Sequence, residues 1–169
     1  MIIIADTSPL NYLILPGQQD LLLTLYGSLI VPQSVLIEMQ HAAAPPSVQT
    51  WAANPPFWVS VRSAKQIDNI LPDALGAGER EAISLALELH ADVLLIDEWA
   101  GRKEAEARGI SVAGTLAVFL NAAVRGDLDL PSSIDALKKA GFRLSRSVET
   151  ALMDRYQNRA KSGSQNAKR

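Results

Sequence analysis

Short apolar runs alternate with helical stripes along most of the chain. Ile2–Ala5 and Val93–Ile96 have the length and continuous apolar character of buried strands, and Leu29–Val31, Phe57–Val61 and Ile110–Val112 read as short strands beside them. Between them, apolar residues recur at helical spacing: Leu10, Leu13 and Ile14; Leu21, Leu22 and Leu25; Val35, Leu36 and Met39; Ala82, Ala86 and Leu89. Ser8 and Pro9 suit the cap and first position of the first helix, and Pro16-Gly17 breaks it. Gly27 ends the second helix, and Pro32 opens a third that runs to about Gln40. Residues 41–56 are rich in Ala and Pro, with room for a helical turn or two over Ser47–Ala53. Residues 62–75 show no period and read as loop. Gly76-Ala77-Gly78 precedes the best-patterned helix, Glu79 to about His90. Further helices are expected over Trp99–Arg108, Thr115–Val124, Pro131–Ala140 and Ser145–Tyr156.

Strands alternating with helices predict an α/β fold: a three-layer α/β/α sandwich on a mostly parallel sheet of four to five strands. No internal repeat or second boundary stands out. One domain is expected over residues 1–156, followed by a polar and basic tail over 157–169 that lacks core residues and reads as unstructured.

Composition adds exclusions. The 169 residues include no cysteine, which rules out disulfides and thiolate metal sites and suits a reducing compartment. No apolar run approaches the ~20 residues of a membrane span, and Met-Ile-Ile-Ile lacks the basic start of a secretory signal. A cytoplasmic protein is the expectation. The formal net charge of -2 argues weakly against a nucleic-acid-coating protein. Basic residues nevertheless collect late, among them Arg102, Lys103, Lys138, Lys139 and Arg143.

Four acids are the candidates for chemistry. Ligands of open α/β sheets bind beyond the carboxyl ends of the strands. Asp6 and Asp97 follow the first and fourth strands directly. Glu38 lies at the border of an apolar stripe, and Glu81 in the first turn of the long helix. Each has a bland explanation: a helix N-terminus welcomes an acid, and a border Glu is commonly a solvated rim residue. Glu79 and Glu81 point to nearly opposite sides of their helix, so only one can face a shared site. Carboxylates that cluster repel unless protonated or holding a cation, which makes a divalent-metal site the leading expectation.

The ordered segments Ala5-Asp6-Thr7-Ser8-Pro9-Leu10, Gly78-Glu79-Arg80-Glu81-Ala82-Ile83, Leu94-Leu95-Ile96-Asp97-Glu98 and Ala113-Gly114-Thr115-Leu116 resemble the PIN-domain superfamily. With the late Lys139–Ser145 they are most similar to its DUF3368 branch, over residues 2 to 152. The resemblance implies a Mg²⁺- or Mn²⁺-dependent ribonuclease acting on single-stranded RNA, many relatives being toxins of toxin–antitoxin pairs. It implies an antitoxin protein and a second copy of the chain as partners. By the same resemblance Asp6 matches the first metal-binding aspartate, and Glu38 the acid on the helix after strand two. Glu81 stands where many relatives have aspartate. Asp97 and Glu98 share the place of the usual Thr-x-Asp, with Ile96 in the threonine position. Asp6, Glu81, Asp97 and Glu98 are thereby expected as metal ligands, with Glu38 completing the catalytic set. Thr7, Ser8, Arg102 and Lys103 are expected to meet the substrate.

Two other readings compete. A phosphotransfer domain also places an aspartate after strand one, but the dehalogenase type wants a second aspartate where Ser8 stands. A catalytically weak PIN-like module that binds nucleic acid or an antitoxin is favoured by the Ile96 and Glu81 departures.

Overall fold

The computed structural model describes the backbone of residues 1–166 and the side chains of residues 1–159. Its chain forms two compact units, Met1–Thr115 and Leu116–Arg169, a division that the apolar pattern does not mark.

The first unit is built on a five-stranded sheet, every pairing of which is parallel. The strands are β1 (Ile3–Ala5), β2 (Leu29–Pro32), β3 (Val59–Arg62), β4 (Val93–Leu95) and β5 (Val112–Ala113), in the order β3-β2-β1-β4-β5. The connecting helices are α1 (Thr7–Ile14), α2 (Asp20–Tyr26), α3 (Gln33–Gln40), α4 (Pro46–Ala53), α5 (Ala77–Glu88) and α6 (Trp99–Ala107). β1 and β4 lie side by side in the centre, Ala5 opposite Leu95, with Asp6 N–H donating to Leu95 O at 2.9 Å. The order of strands reverses at this pair, so the crevice beyond their carboxyl ends is where a ligand of such a sheet is expected.

Ile4, Leu94 and Ile96 pack with Ala82, Ile83, Leu85 and Ala86 of α5 and Ala105 of α6 in one buried cluster. The alternate positions Ile3, Ala5 and Leu95 are as fully buried, so both faces of the central strands are covered. The loop of residues 63–76 joins the same cluster through Leu71 and Leu75. Arg80 anchors it: one guanidinium nitrogen donates to Leu71 O at 3.1 Å, Pro72 O at 3.2 Å and Asp73 Oδ1 at 3.1 Å. Arg108 holds its start, donating to Asp68 Oδ2 at 2.8 Å.

The second unit is helical: the remainder of α7 (Thr115–Arg125), α8 (Leu130–Lys139) and α9 (Arg146–Asn166). Asp129 caps α8 by accepting from Ser132 N–H, and Lys138 pairs with Glu149 at 2.6 Å to tie α8 to α9. α9 runs past residue 156, as far as Asn166. No proline follows and no glycine intervenes before Gly163, and extending a formed helix needs only propagation. Residues 167–169 of the expected tail lie outside the described residues.

The first helix also departs from expectation. Ser8 is not its cap; the backbone at Asp6 is extended and the helix begins at Thr7, which places Asp6 in the cap position. No helix among the described residues is long and apolar enough to cross a membrane.

Candidate functional site

The chain turns into α1 immediately after β1, which leaves Asp6 at the carboxyl edge of the central strand pair. Its side chain is 3 % exposed. It makes no capping hydrogen bond, although it occupies the cap position. Oδ1 is buried without a hydrogen-bond partner, an arrangement that costs stability unless something else meets the charge. Its pKa is raised from 3.8 to about 7, chiefly by burial and further by the nearby Glu79 and Glu38, against the opposing pull of the Thr7 and Ser8 amides.

Three acids gather here. Glu38, on α3, is half-buried; its Oε2 accepts from Thr7 Oγ1 at 2.5 Å and its Oε1 from Gly78 N–H at 2.7 Å. Thr7 is thus a tether for Glu38, not a free hydroxyl. Glu79 reaches back with Oε2 to Gly76 N–H at 3.0 Å, while its Oε1 is buried and unpartnered. Two glycines make room for these carboxylates. A Cβ on Gly78 would stand 2.7 Å from Glu38 Oε2, and one on Gly101 would stand 2.7 Å from Glu79 Oε1. The first turn of α6, which carries Gly101, therefore walls the acid cluster.

Glu81 is not in this group, although the resemblance implies it as a ligand. It is 5 % exposed and turned to the other side of α5. Its Oε2 accepts from Ser34 N–H at 2.6 Å, in the first turn of α3, and its Oε1 from Ala64 N–H at 3.2 Å, just past β3. A helix spaces Glu79 and Glu81 on opposite sides, and the structure turns Glu79 to Asp6. Glu79, to which the resemblance assigns no role, is thus the acid of α5 that lies beside Asp6. The Gly-Ala-Gly stretch before it was the available signal, since glycines mark close approach.

Asp97 is also committed. Its Oδ1 accepts from Thr115 N–H at 2.7 Å and its Oδ2 from Thr115 Oγ1 at 2.6 Å, which holds the turn after β5. Burial raises its pKa, the Thr115 bonds and Arg102 oppose that, and Glu98 adds to it. Glu98 stands at the N-cap of α6, exposed, with no capping bond. Arg102 donates to Ile96 O at 3.1 Å and is half-buried, so its guanidinium is partly occupied in supporting the β4–α6 turn. Lys103 is exposed, with Nζ 5.2 Å from the centre of the Trp99 ring. Ser8 is half-buried in the first turn of α1.

As the side chains stand, no three His, Cys, Asp or Glu residues among those described are grouped so as to hold a metal ion. Two orphaned oxygens, Asp6 Oδ1 and Glu79 Oε1, and the mutual repulsion that raises Asp6 nonetheless fit a hard divalent cation, which takes oxygen ligands and keeps several waters.

The raised pKa has a measurable sign. Below pH about 4, folded and unfolded Asp6 both carry the proton and the residue contributes nothing. Between pH about 4 and 7 the unfolded state loses that proton and the folded state keeps it, so stability falls as pH rises. Above pH 7 the loss is complete and amounts to roughly 4 kcal/mol. Urea unfolding in EDTA should find Asp6→Asn equal to wild type near pH 4 and increasingly more stable toward pH 8. A gap that does not change with pH would mean that Asp6 is ionised throughout.

The DUF3368 family model, described as a PIN domain, matches residues 2–158. No curated protein matches the chain. Among solved structures, the chain is similar to a PilT N-terminus domain protein from the hyperthermophilic archaeon Sulfolobus solfataricus P2. Identity is 16 %, the TM-score is 0.49, and the match covers 79 % of this chain and 93 % of that one.

Proposed function

The chain belongs to the DUF3368 family of PIN domains, and on that membership we propose that it is a divalent-metal-dependent ribonuclease acting on single-stranded RNA. PIN domains are typically nucleases and generally use divalent metal ions. The observation that carries the reading is the buried Asp6 carboxylate, its Oδ1 without a hydrogen-bond partner, beside Glu38 and Glu79 at the carboxyl edge of β1 and β4.

In this reading Asp6 and Glu79 hold the Mg²⁺ or Mn²⁺, with Glu98 free at the rim. Such an ion neutralises phosphate charge and lowers the pKa of a bound water. The protein's own contribution is positioning. Asp6 is kept ionised once a cation balances its burial. Glu38 is fixed from both oxygens by Thr7 and Gly78, so it stands as an oriented acceptor for a proton of an attacking water. Asp97 holds the β5–α7 turn through Thr115 instead of serving as a ligand. The partners follow the same reading: single-stranded RNA, then an antitoxin protein and a second copy of the chain.

A second reading has its own support. Both oxygens of Asp97 and of Glu81 accept hydrogen bonds within the protein, and among the described residues no three acids stand grouped as ligands. That suits a module that binds without turnover. One experiment separates the two: a labelled single-stranded RNA incubated with Mn²⁺, with EDTA, and with Asp6→Asn. The ribonuclease cleaves only with metal and only with Asp6 intact. Binding without cleavage in every arm leaves the module.

A further inference from the structure

We propose that Trp99 and Lys103 form a base-stacking subsite for single-stranded nucleic acid on the outer side of the first turns of α6. The proposal rests on the ribonuclease reading for its substrate class and extends it to a place on the surface. Trp99 is 73 % exposed at the first position of the helix. Trp58 is buried and Trp51 is half-buried. Single exposed apolar side chains are ordinary, and Phe57 and Ile70 are more exposed still; what sets Trp99 apart is the cation placed against its ring. Lys103 lies one helical turn on, with Nζ 5.2 Å from the ring centre, within cation–π range. One face of the indole is therefore steadied by a cation, and the ring still has open area for a partner.

Location ties this pair to the acid cluster. β4 runs beside β1, and the chain passes from β4 through Asp97 and Glu98 directly into Trp99. Gly101, in the same turn, abuts Glu79 Oε1. Trp99 and Gly101 are two residues apart and so face opposite sides of one helix, whose full width is about 10–12 Å. A strand that rounds the start of α6 from the acids would therefore meet Trp99 with a base further along, not with the one adjoining the phosphate at the acids.

The chemistry favours nucleic acid over a protein partner. An aromatic platform paired with a cation is how single strands are bound without sequence preference, the ring taking the base and the cation the phosphate. Protein interface cores are depleted in lysine, and here lysine is the residue set against the ring. Any base can stack, so the subsite gives affinity and register, not sequence readout.

The test is an anisotropy titration of the full chain with fluorescein-labelled octauridine in EDTA, where nothing is cleaved. A second octamer has the same sugar–phosphate backbone without bases. Trp99→Ala should weaken octauridine about tenfold and leave the base-free octamer unchanged, and Trp99→Phe should recover most of the affinity. Lys103→Ala should weaken both octamers about threefold and lower the salt slope by about 0.7. Octauridine should quench tryptophan emission in wild type and not in Trp99→Phe. Unchanged octauridine affinity in Trp99→Ala overturns the subsite, and a simultaneous change in sedimentation would assign the ring to a protein contact. An equal loss for both octamers overturns stacking as well. Failure of the ribonuclease reading looks different: a Trp99-dependent affinity with no Mn²⁺-dependent cleavage keeps the subsite and removes the enzyme. Cleavage that needs Asp6 but ignores Trp99 does the reverse.

Discussion

Glu79→Gln is expected to lower Mn²⁺-dependent RNA cleavage by at least about a hundredfold, because even partners of metal ligands are worth roughly 10–100-fold. The fold should not suffer. Glutamine keeps an acceptor for Gly76 N–H, and it removes a charge whose Oε1 is buried and unpartnered. Relief of repulsion should also lower the pKa of Asp6, since Glu79 is the strongest charge acting on it. The metal-free variant should therefore melt at or above the wild-type temperature at pH 8. It should also show a smaller rise in melting temperature when Mn²⁺ is added. Cleavage at the wild-type rate with an unchanged Mn²⁺ response would return the ligand role to another acid.

Glu81 should behave in the opposite way. Glu81→Ala strips the acceptor from two backbone donors, Ser34 N–H and Ala64 N–H. Each orphaned donor costs about 1–3 kcal/mol. The carboxylate also meets the positive end of α3, which adds to the loss. A total of about 3 kcal/mol is expected, a large part of the stability of an ordinary domain. At this chain length it corresponds to a fall in melting temperature of roughly 6–12 °C. Glu81→Gln should fall between the two, because its amide must turn one donor toward another. Cleavage per folded molecule, measured well below the melting point, should stay near wild type. Lost cleavage in Glu81→Gln with an unaltered melting curve would instead make Glu81 a ligand, as the resemblance implies. The pair of variants thus separates charge that serves a site from charge that holds two loops.

Much of this architecture was legible in residue order. Short apolar runs predicted a mostly parallel sheet, and all five strands appear, with shifts of a residue or two at their ends; β1 and β4 at the centre are mostly buried, while β3 and β5 at the edges are only partly so. β3 begins at Val59 and not Phe57, because Phe57 stays exposed while Trp58 buries. Asp6 could be singled out because an acid directly after a buried strand lies at the edge where ligands bind. Less visible was the competition for each carboxylate. Asp97 and Glu98 look equivalent in the chain, yet Thr115, eighteen residues on, draws only Asp97 inward.

Periodicity along a chain sets which residues share a side of a helix, and apolar content sets which side is buried. Strand, helix and the opposition of Glu79 to Glu81 follow from those local rules. Which of the two meets Asp6 depends on how α5 is rotated upon the sheet. That rotation comes from packing Ala82, Ile83, Leu85 and Ala86 against β1 and β4. Contacts so distant in sequence leave no local trace, and a rotation of half a turn would exchange the two glutamates.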